Sequence, residues 1–389
     1  MNRNRYPLLW LLMSAALSSG CDGNDLPIFG PADQTQQKIL SGRFLDSAVT
    51  NLDYHTPSRS GTTDSRGRFE FQQGETVTFA IGGVTLGGAE GQAIVTPVNL
   101  DLTTTASTTT PWVQNIARFL LALDQDGNPG NGIMISDAVK TAAKGWSAVD
   151  FTSADFDTEI ADILASAGTA DGRSATLPAN GEAREHLENS IYCSYGGAFS
   201  GNYSFSSGSS GQWILSVDPQ DGGIGGFLID NSGNNYLLNG KLNPDSSSSF
   251  TATADGAPSD AIPPWDGVIT ASGVMTANNG AIEGQKRYLE LPAGTSGDIY
   301  QGYVAKGDLQ IITDVYAITF AIDGSNFTGT AFSLLNQKYS NLQLVSISGN
   351  TIQFSLDGTL LLGGGLGAGN DINIANGDEN MRGTVCRVQ

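Results

Sequence analysis

Histidine is scarce in this sequence of 389 residues, which contains only His55 and His186. Zinc sites need several convergent histidine, cysteine or carboxylate ligands, and two remote histidines do not supply them. The sequence also lacks the G-x-S-x-G motif of serine hydrolases and the glycine-rich motifs that hold nucleotide phosphates. These absences give little support to a zinc enzyme, a serine hydrolase or a nucleotide-binding protein, and no catalytic residue is assigned.

Basic residues are also few. The chain has 19 lysines and arginines against 39 acids, a formal net charge of -20, and its first 20 residues hold two arginines and no acid. A protein this acidic does not follow nucleic acid by neutralising phosphates, nor does it adsorb to anionic lipid by charge. Nucleic acid is therefore excluded as a partner, and any attachment to a membrane has to come from acyl chains.

Only three cysteines occur, Cys21, Cys193 and Cys386. In an oxidising compartment, Cys193 and Cys386 are expected to form one disulfide. The alternative is two separate buried thiols. The pattern places Cys193 on the first strand and Cys386 on the last strand of a β domain over 193–389. A bond between them would make those two strands neighbours, as a closed barrel or a sandwich with adjoining ends requires.

A single apolar run stands out, Leu8–Leu17, after Arg3 and Arg5. Its length and small flanking residues are typical of a secretory signal peptide, assigned here to 1–20. The sequence Ser18-Ser19-Gly20-Cys21 resembles the lipobox of bacterial lipoproteins, although Ser18 stands where that family usually has leucine. The resemblance implies a lipid on Cys21 and an anchor in the inner or outer membrane, facing periplasm or exterior. Ordinary secretion is the alternative. Residues 21–37 are polar, contain two prolines and predict a flexible tether.

Glycine is frequent, with 50 residues, and only 15% of the residues are charged, which favours a mainly β protein with many short strands. Residues 38–101 predict a small antiparallel β-sandwich. Its segments SGRFLDSAVTNLDY, GTTDSRGRFEF, GETVTFAIGGVTLG and VTPVNL resemble the transthyretin-like, carboxypeptidase-regulatory-like modules of Gram-negative envelope lipoproteins. The resemblance implies that Thr63–Phe71 is a β-hairpin, with Gly67 in its turn and its aromatic residues in the core. It says almost nothing about function.

Residues 110–192 predict a short helical insert. Trp112, Ile116, Phe119 and Leu123 recur at helical spacing behind Pro111, a favoured first residue of a helix. Further helices are expected from Ser136, over about 153–165 and over 178–192.

The loop that follows the first of these helices is a candidate calcium site. Asp124, Asp126, Asn128 and Asn131 place oxygen ligands at close spacing, and DxDGN is similar to EF-hand loops. The match is incomplete because glycine and glutamate are not at the sixth and twelfth positions. The alternative is a turn that caps two helices. No other cofactor is implied.

The remaining part, 193–389, predicts a large antiparallel β-meander domain, barrel-like or a sandwich. A weak repeat relates 213–218 to 316–323, which indicates two consecutive meanders, either halves of one barrel or a barrel each. Trp265 follows two prolines in a loop and is a candidate to present its ring to a ligand.

These observations favour a lipid-anchored cell-envelope protein that acts without catalysis as a surface or periplasmic binding, adhesion or scaffolding module, with a protein or glycan as partner. One alternative is a β-barrel carrier of an apolar ligand, which requires a hollow interior. The other is a secreted hydrolase that uses acids of the β domain, such as Asp218 and Asp221.

Overall fold

The computed structural model describes residues 38–101, 105–307, 312–349, 351–358, 360–366, 371–376 and 381–388. The signal peptide, Cys21 and the tether therefore lie outside the described residues. Lys38–Gln389 forms one compact unit. It is mainly β, as the composition predicts, and contains a sandwich, a helical segment and two closed barrels.

Residues 38–101 fold into two small sheets. The strands are β1 (Ile39–Phe44), β2 (Val49–Thr50), β3 (Asp53–His55), β4 (Ser60–Thr62), β5 (Arg68–Gln72), β6 (Thr76–Ile81), β7 (Val84–Glu90) and β8 (Ile94–Val95), followed by a 3₁₀ turn at Pro97–Asn99. One sheet has the order β5-β1-β8 and the other β4-β3-β6-β7. Charged and aromatic residues alternate along β5 as the sequence predicts, since Phe69 and Phe71 are buried between exposed neighbours.

The expected hairpin over Thr63–Phe71 is wrong, because β4 and β5 belong to different sheets. The segment between them is a turn in which the Asp64 carboxylate accepts hydrogen bonds from the backbone N–H groups of Arg66 and Arg68. Gly67 completes it at a φ of +69°, and a Cβ there would lie 2.4 Å from the carbonyl oxygen of Phe44. Gly67 thus permits the tight turn through which the chain passes from one sheet to the other.

Five helices and one short strand follow. They are α1 (Pro111–Leu123), a 3₁₀ turn at Pro129–Asn131, β9 (Ile133–Met134), α2 (Asp137–Ala143), α3 (Phe156–Glu159), α4 (Ala161–Asp171) and α5 (Asn180–Tyr195). The helix over Pro111–Leu123 is confirmed, with Pro111 in its first turn. Strand β9 pairs in parallel with β2 and so attaches the helical segment to the sandwich.

Helix α1 contributes to two hydrophobic cores. Ile116, Phe119 and Leu120 are buried in a core shared with the sandwich. Val113 and Ala117 are buried in a second core, shared with α5 and the first barrel. The predicted segments 38–101 and 110–192 therefore do not have separate hydrophobic cores.

The β-rich part is two up-and-down barrels of eight antiparallel strands. The first contains β10 (Gly197–Ser204), β11 (Ser210–Val217), β12 (Gly223–Asp230), β13 (Asn235–Leu242), β14 (Ser249–Asp255), β15 (Trp265–Ile269), β16 (Val274–Ala277) and β17 (Ile282–Lys286), with a 3₁₀ turn at Asn278–Gly280. The second contains β18 (Asp298–Gly307), β19 (Ile312–Asp323), β20 (Asn326–Ser333), β21 (Lys338–Ser348), β22 (Thr351–Leu356), β23 (Leu360–Leu366), β24 (Asp371–Asn376) and β25 (Met381–Val388). The weak sequence repeat lies on β11 and β19, the second strand of each barrel.

Each barrel closes through its own backbone hydrogen bonds, β10 with β17 and β18 with β25. Of the two alternatives for the meanders of 193–389, a barrel each is therefore the one observed, and the disulfide closes neither barrel. Cys193 lies in the last turn of α5, not on a strand, and its bond to Cys386 joins that helix to the last strand of the second barrel. The position of Cys193 was predicted wrongly because α5 continues to Tyr195, three residues past its predicted end.

Both barrel interiors are filled by side chains. Trp213, Phe250 and Trp265 are fully buried in the first barrel, and Phe320 and Phe354 in the second. Eight strands enclose a space just wide enough for such packing. Among the described residues, no helix is long and apolar enough to cross a membrane.

Candidate functional site

A cavity of about 560 Å³ lies where the sandwich, α5 and the two barrels meet. Its walls come from the end of β1, the loop after α1, one side of α5, the end of β17 and the last strand of the second barrel. We call this cavity the cleft. Its volume is in the range of small-molecule sites, and it lies at a junction of structural units, where such sites are commonly found.

The charges of the cleft are of one sign. Arg43, Arg66, Lys286 and Arg387 line it, and none of its described lining residues is acidic. Arg387 pairs with Asp298. No carboxylate within the described chain lies at ion-pair distance from Arg43, Arg66 or Lys286. This is unexpected in a protein with twice as many acids as bases.

Arg43 and Arg66 both line the cleft and lie close to each other. The Nε of Arg43 donates a hydrogen bond of 3.1 Å to the backbone carbonyl of Arg66. Burial, followed by the charge of Arg66, lowers the pKa of Arg43. The charge of Asp64 acts on the pKa of Arg43 in the opposite direction, but the Asp64 carboxylate is paired with Arg68 at 2.6 Å. The two like charges therefore leave an electrostatic cost that a bound anion would reduce.

Lys286 ends β17 with its amine in the cleft. Its Nζ lies 3.4 Å from the carbonyl oxygen of Ser194 and 5.2 Å from the centre of the Tyr288 ring. Burial lowers the pKa of this amine to about 8. The group is thus poised to gain or lose its proton near neutral pH.

The rest of the wall is largely apolar. It contains Leu45 and Ile94 from the sandwich, Ile299 and Val388 from the second barrel, and the Tyr288 ring. The disulfide between Cys193 and Cys386 lines the same cavity and fixes α5 against β25. The cleft therefore combines an apolar surface with fixed cations.

His186 lies on the cleft side of α5 and contacts the tight turn after β1. Its Nε2 is 3.2 Å from Ser47 Oγ and 3.6 Å from a carboxylate oxygen of the fully buried Asp46. Both groups face the same ring nitrogen, whereas a Ser-His-Asp triad needs them on opposite nitrogens. The cluster instead anchors α5 to the sandwich, and burial lowers the pKa of His186 and raises that of Asp46.

The loop over Asp124–Asn131 borders the cleft. Asp126 accepts hydrogen bonds from the backbone N–H of Asn128 and from the side-chain amide of Asn131. Asp124 is buried at the end of α1 and accepts from the backbone N–H of Met134, and burial raises its pKa to about 6. Within the described ranges, no three His, Cys, Asp or Glu side chains are grouped to hold a metal ion. These hydrogen bonds engage the carboxylates in the loop and its flank, while Ser136 caps the next helix, and calcium binding stays a prediction.

Trp265 is not presented to solvent. It is the first residue of β15, is 1% exposed and packs edge-on against Trp213 with ring centres 5.7 Å apart. The prediction that the proline-containing loop exposes this ring is wrong, since the prolines precede a strand whose first side chain enters the barrel.

The acids proposed for a hydrolase are engaged in structural contacts. Asp218 accepts hydrogen bonds from the hydroxyl groups of Tyr303 and Thr384, and so links the first barrel to the second. Asp221 accepts from the backbone N–H of Gly223 in the turn after β11. These contacts give both carboxylates a structural role.

The cationic residues of the cleft were not singled out from the sequence. Arg43, Arg66, Lys286 and Arg387 belong to segments that are remote along the chain, and no local motif connects them. A comparison of the chain with known protein families, with curated proteins and with solved structures found no match.

Proposed function

We propose that this chain is a lipid-anchored cell-envelope protein that acts as a non-enzymatic binding module and holds a small ligand in the cleft. The observation that carries the proposal is the cleft itself, a cavity of about 560 Å³ with apolar walls and unpaired cations in an acidic protein. Cations that line a cavity without a carboxylate partner can form charge-assisted hydrogen bonds with an acidic group of a ligand.

The envelope location is supported by the sequence around Cys21 and by the disulfide, which agrees with an oxidising compartment. In this proposal the sandwich is a transthyretin-like module that forms one wall of the cleft. Mass spectrometry of the mature protein tests the anchor, since a diacylated Cys21 is expected at its amino terminus. An unmodified start after Cys21 would indicate secretion.

A carrier of an apolar ligand is the second candidate, because the chain contains two closed barrels. The interiors of both barrels are occupied by side chains. A carrier would therefore also use the cleft.

The binding function is tested by native mass spectrometry of the full mature chain after exposure to the small-molecule fraction of an envelope extract. We expect a retained ligand mass in the wild-type protein. Ala271→Trp, in a turn that lines the cleft, should remove it, while Ser232→Trp, in an exposed turn of the same barrel, should not. Equal retention by both variants would contradict the proposal.

A further inference from the structure

The sign of the cleft's charge restricts what it can hold. Arg43, Arg66 and Lys286 face the cavity without a carboxylate partner among the described residues, in a chain of net charge -20. A cation would be repelled at short range by these groups, and a neutral compound would leave them unpaired. An anion satisfies them, and charge-assisted hydrogen bonds to guanidinium are among the strongest polar contacts.

The apolar walls restrict the ligand further. Leu45, Ile94, Ile299 and Val388 provide aliphatic surface beside the cations. A small inorganic anion would leave this surface in contact with water. Burying it against an apolar group adds affinity in proportion to the area covered.

We infer that the cleft binds a small amphipathic anion, a compound with one acidic head group and an apolar body. The shared chemistry of the head is a carboxylate or a phosphate monoester, which accepts hydrogen bonds from the cations that line the cleft. The apolar body lies along the aliphatic residues of the sandwich and the second barrel. This inference rests on the proposed binding function and names the class of its ligand.

The head group is tested with probes of one chain length. Dodecanoate, dodecyl phosphate, dodecanol and dodecyltrimethylammonium are titrated into the full mature chain with calorimetric detection. The three ions are kept below their micelle concentrations and dodecanol below its solubility limit. We expect the two anions to bind and the cation not to bind. Dodecanol should bind more weakly than the anions, by about tenfold or by a larger factor. The relative affinity of carboxylate and phosphate identifies the preferred source of the charge.

Variants locate the binding. Arg43→Gln and Lys286→Met should each weaken dodecanoate binding by about tenfold, because each removes one charge-assisted hydrogen bond. Lys144→Met is the matched control, since it removes one positive charge from an exposed position outside the cleft. Its affinity should stay within about twofold of wild type. Melting temperatures of all variants show whether they are folded.

Several results would overturn the inference. These are equal affinities for dodecanol and dodecanoate, no binding of either anion, or an equal loss in Lys144→Met and Lys286→Met. Failure here is distinguishable from failure of the binding function. If Ala271→Trp still removes a native ligand that is not an amphipathic anion, the binding function stands and the ligand class is wrong.

Discussion

Lys286 is the cleft residue whose charge changes most readily near neutral pH. Guanidinium groups keep their charge across the working range. Burial raises the pKa of Tyr288 above its usual 10 and lowers that of His186 below its usual 6.5, so both stay neutral above pH 7. The pKa of Lys286, about 8, therefore dominates the pH response of the cleft between pH 7 and 9.

Dodecanoate affinity is predicted to fall as the pH rises through 8. A bound anion stabilises the charged amine and raises its pKa, so binding takes up a proton when the free amine is neutral. Calorimetry between pH 7 and 9.5 should show this decrease in wild type and a nearly flat profile in Lys286→Met. An unchanged slope in the variant would contradict the role given to this lysine.

Asp46 is a second residue with a predictable pH effect. It is fully buried, neither carboxylate oxygen accepts a hydrogen bond from the described residues, and its pKa is raised by burial. A raised folded-state pKa gives stability that is present below the unfolded-state value and is lost as the pH rises through the folded-state value.

Asp46→Asn removes this titration. Its free energy of unfolding, relative to wild type, should therefore increase as the pH rises from 4 to 8. Urea unfolding at three pH values measures the difference, with the exposed Asp260→Asn as control. A difference between Asp46→Asn and wild type that stays constant with pH would show that folding does not raise the pKa of Asp46.

At the scale of elements, the barrel strands are stabilised by their inward faces. Phe250 on β14 is fully buried in the first barrel, while the adjacent Thr251 points outward and is exposed. Phe250→Ala should lower the free energy of unfolding by about 3–5 kcal/mol, because it leaves a cavity in a packed interior. Thr251→Ala, on the same strand, should change it by less than about 1 kcal/mol. Similar losses in both variants would indicate a loosely packed barrel.

Helices and strands could be predicted from the sequence where the local spacing of apolar residues determines them. Helical spacing located α1, and alternation located β5 with Phe69 and Phe71 inside. Prediction failed where the pairing between strands determines the structure. The turn at Gly67 connects two sheets instead of forming a hairpin, because β5 pairs with β1. Sequence alternation also does not show which face of β15 is enclosed, so the burial of Trp265 could not be foreseen.

At the scale of the whole molecule, the sequence did not show which remote strands pair to close each barrel, or which remote residues meet at the cleft. Gly201 on β10 pairs with Gly284 on β17, and such a long-range contact has no local signature. The cleft depends on the same kind of contact, since Arg43 and Arg387 come from opposite ends of the described chain. A mainly β fold, the cysteine pair and two meanders could be predicted, whereas the choice between one barrel and two, and the cleft, could not.

The disulfide contributes to stability at this scale because it joins α5 to the last strand of the second barrel across 193 residues of chain. The double variant Cys193→Ser with Cys386→Ser should lower the free energy of unfolding by about 2–5 kcal/mol, since it frees a long loop in the unfolded state. Urea unfolding without reductant, beside the oxidised wild type, provides the measurement. A loss below about 0.5 kcal/mol would mean that the barrel packing alone holds α5 in place.

A crystal structure with 12-bromododecanoate tests most directly whether the cleft is the ligand site and selects an anion. The anomalous signal of bromine and the density of the carboxylate locate both ends of the probe. We predict the carboxylate within hydrogen-bond distance of Lys286 or Arg43, with the alkyl chain along Ile94 and Ile299. A probe inside either barrel, or on the outer surface with the cleft empty, would contradict the account.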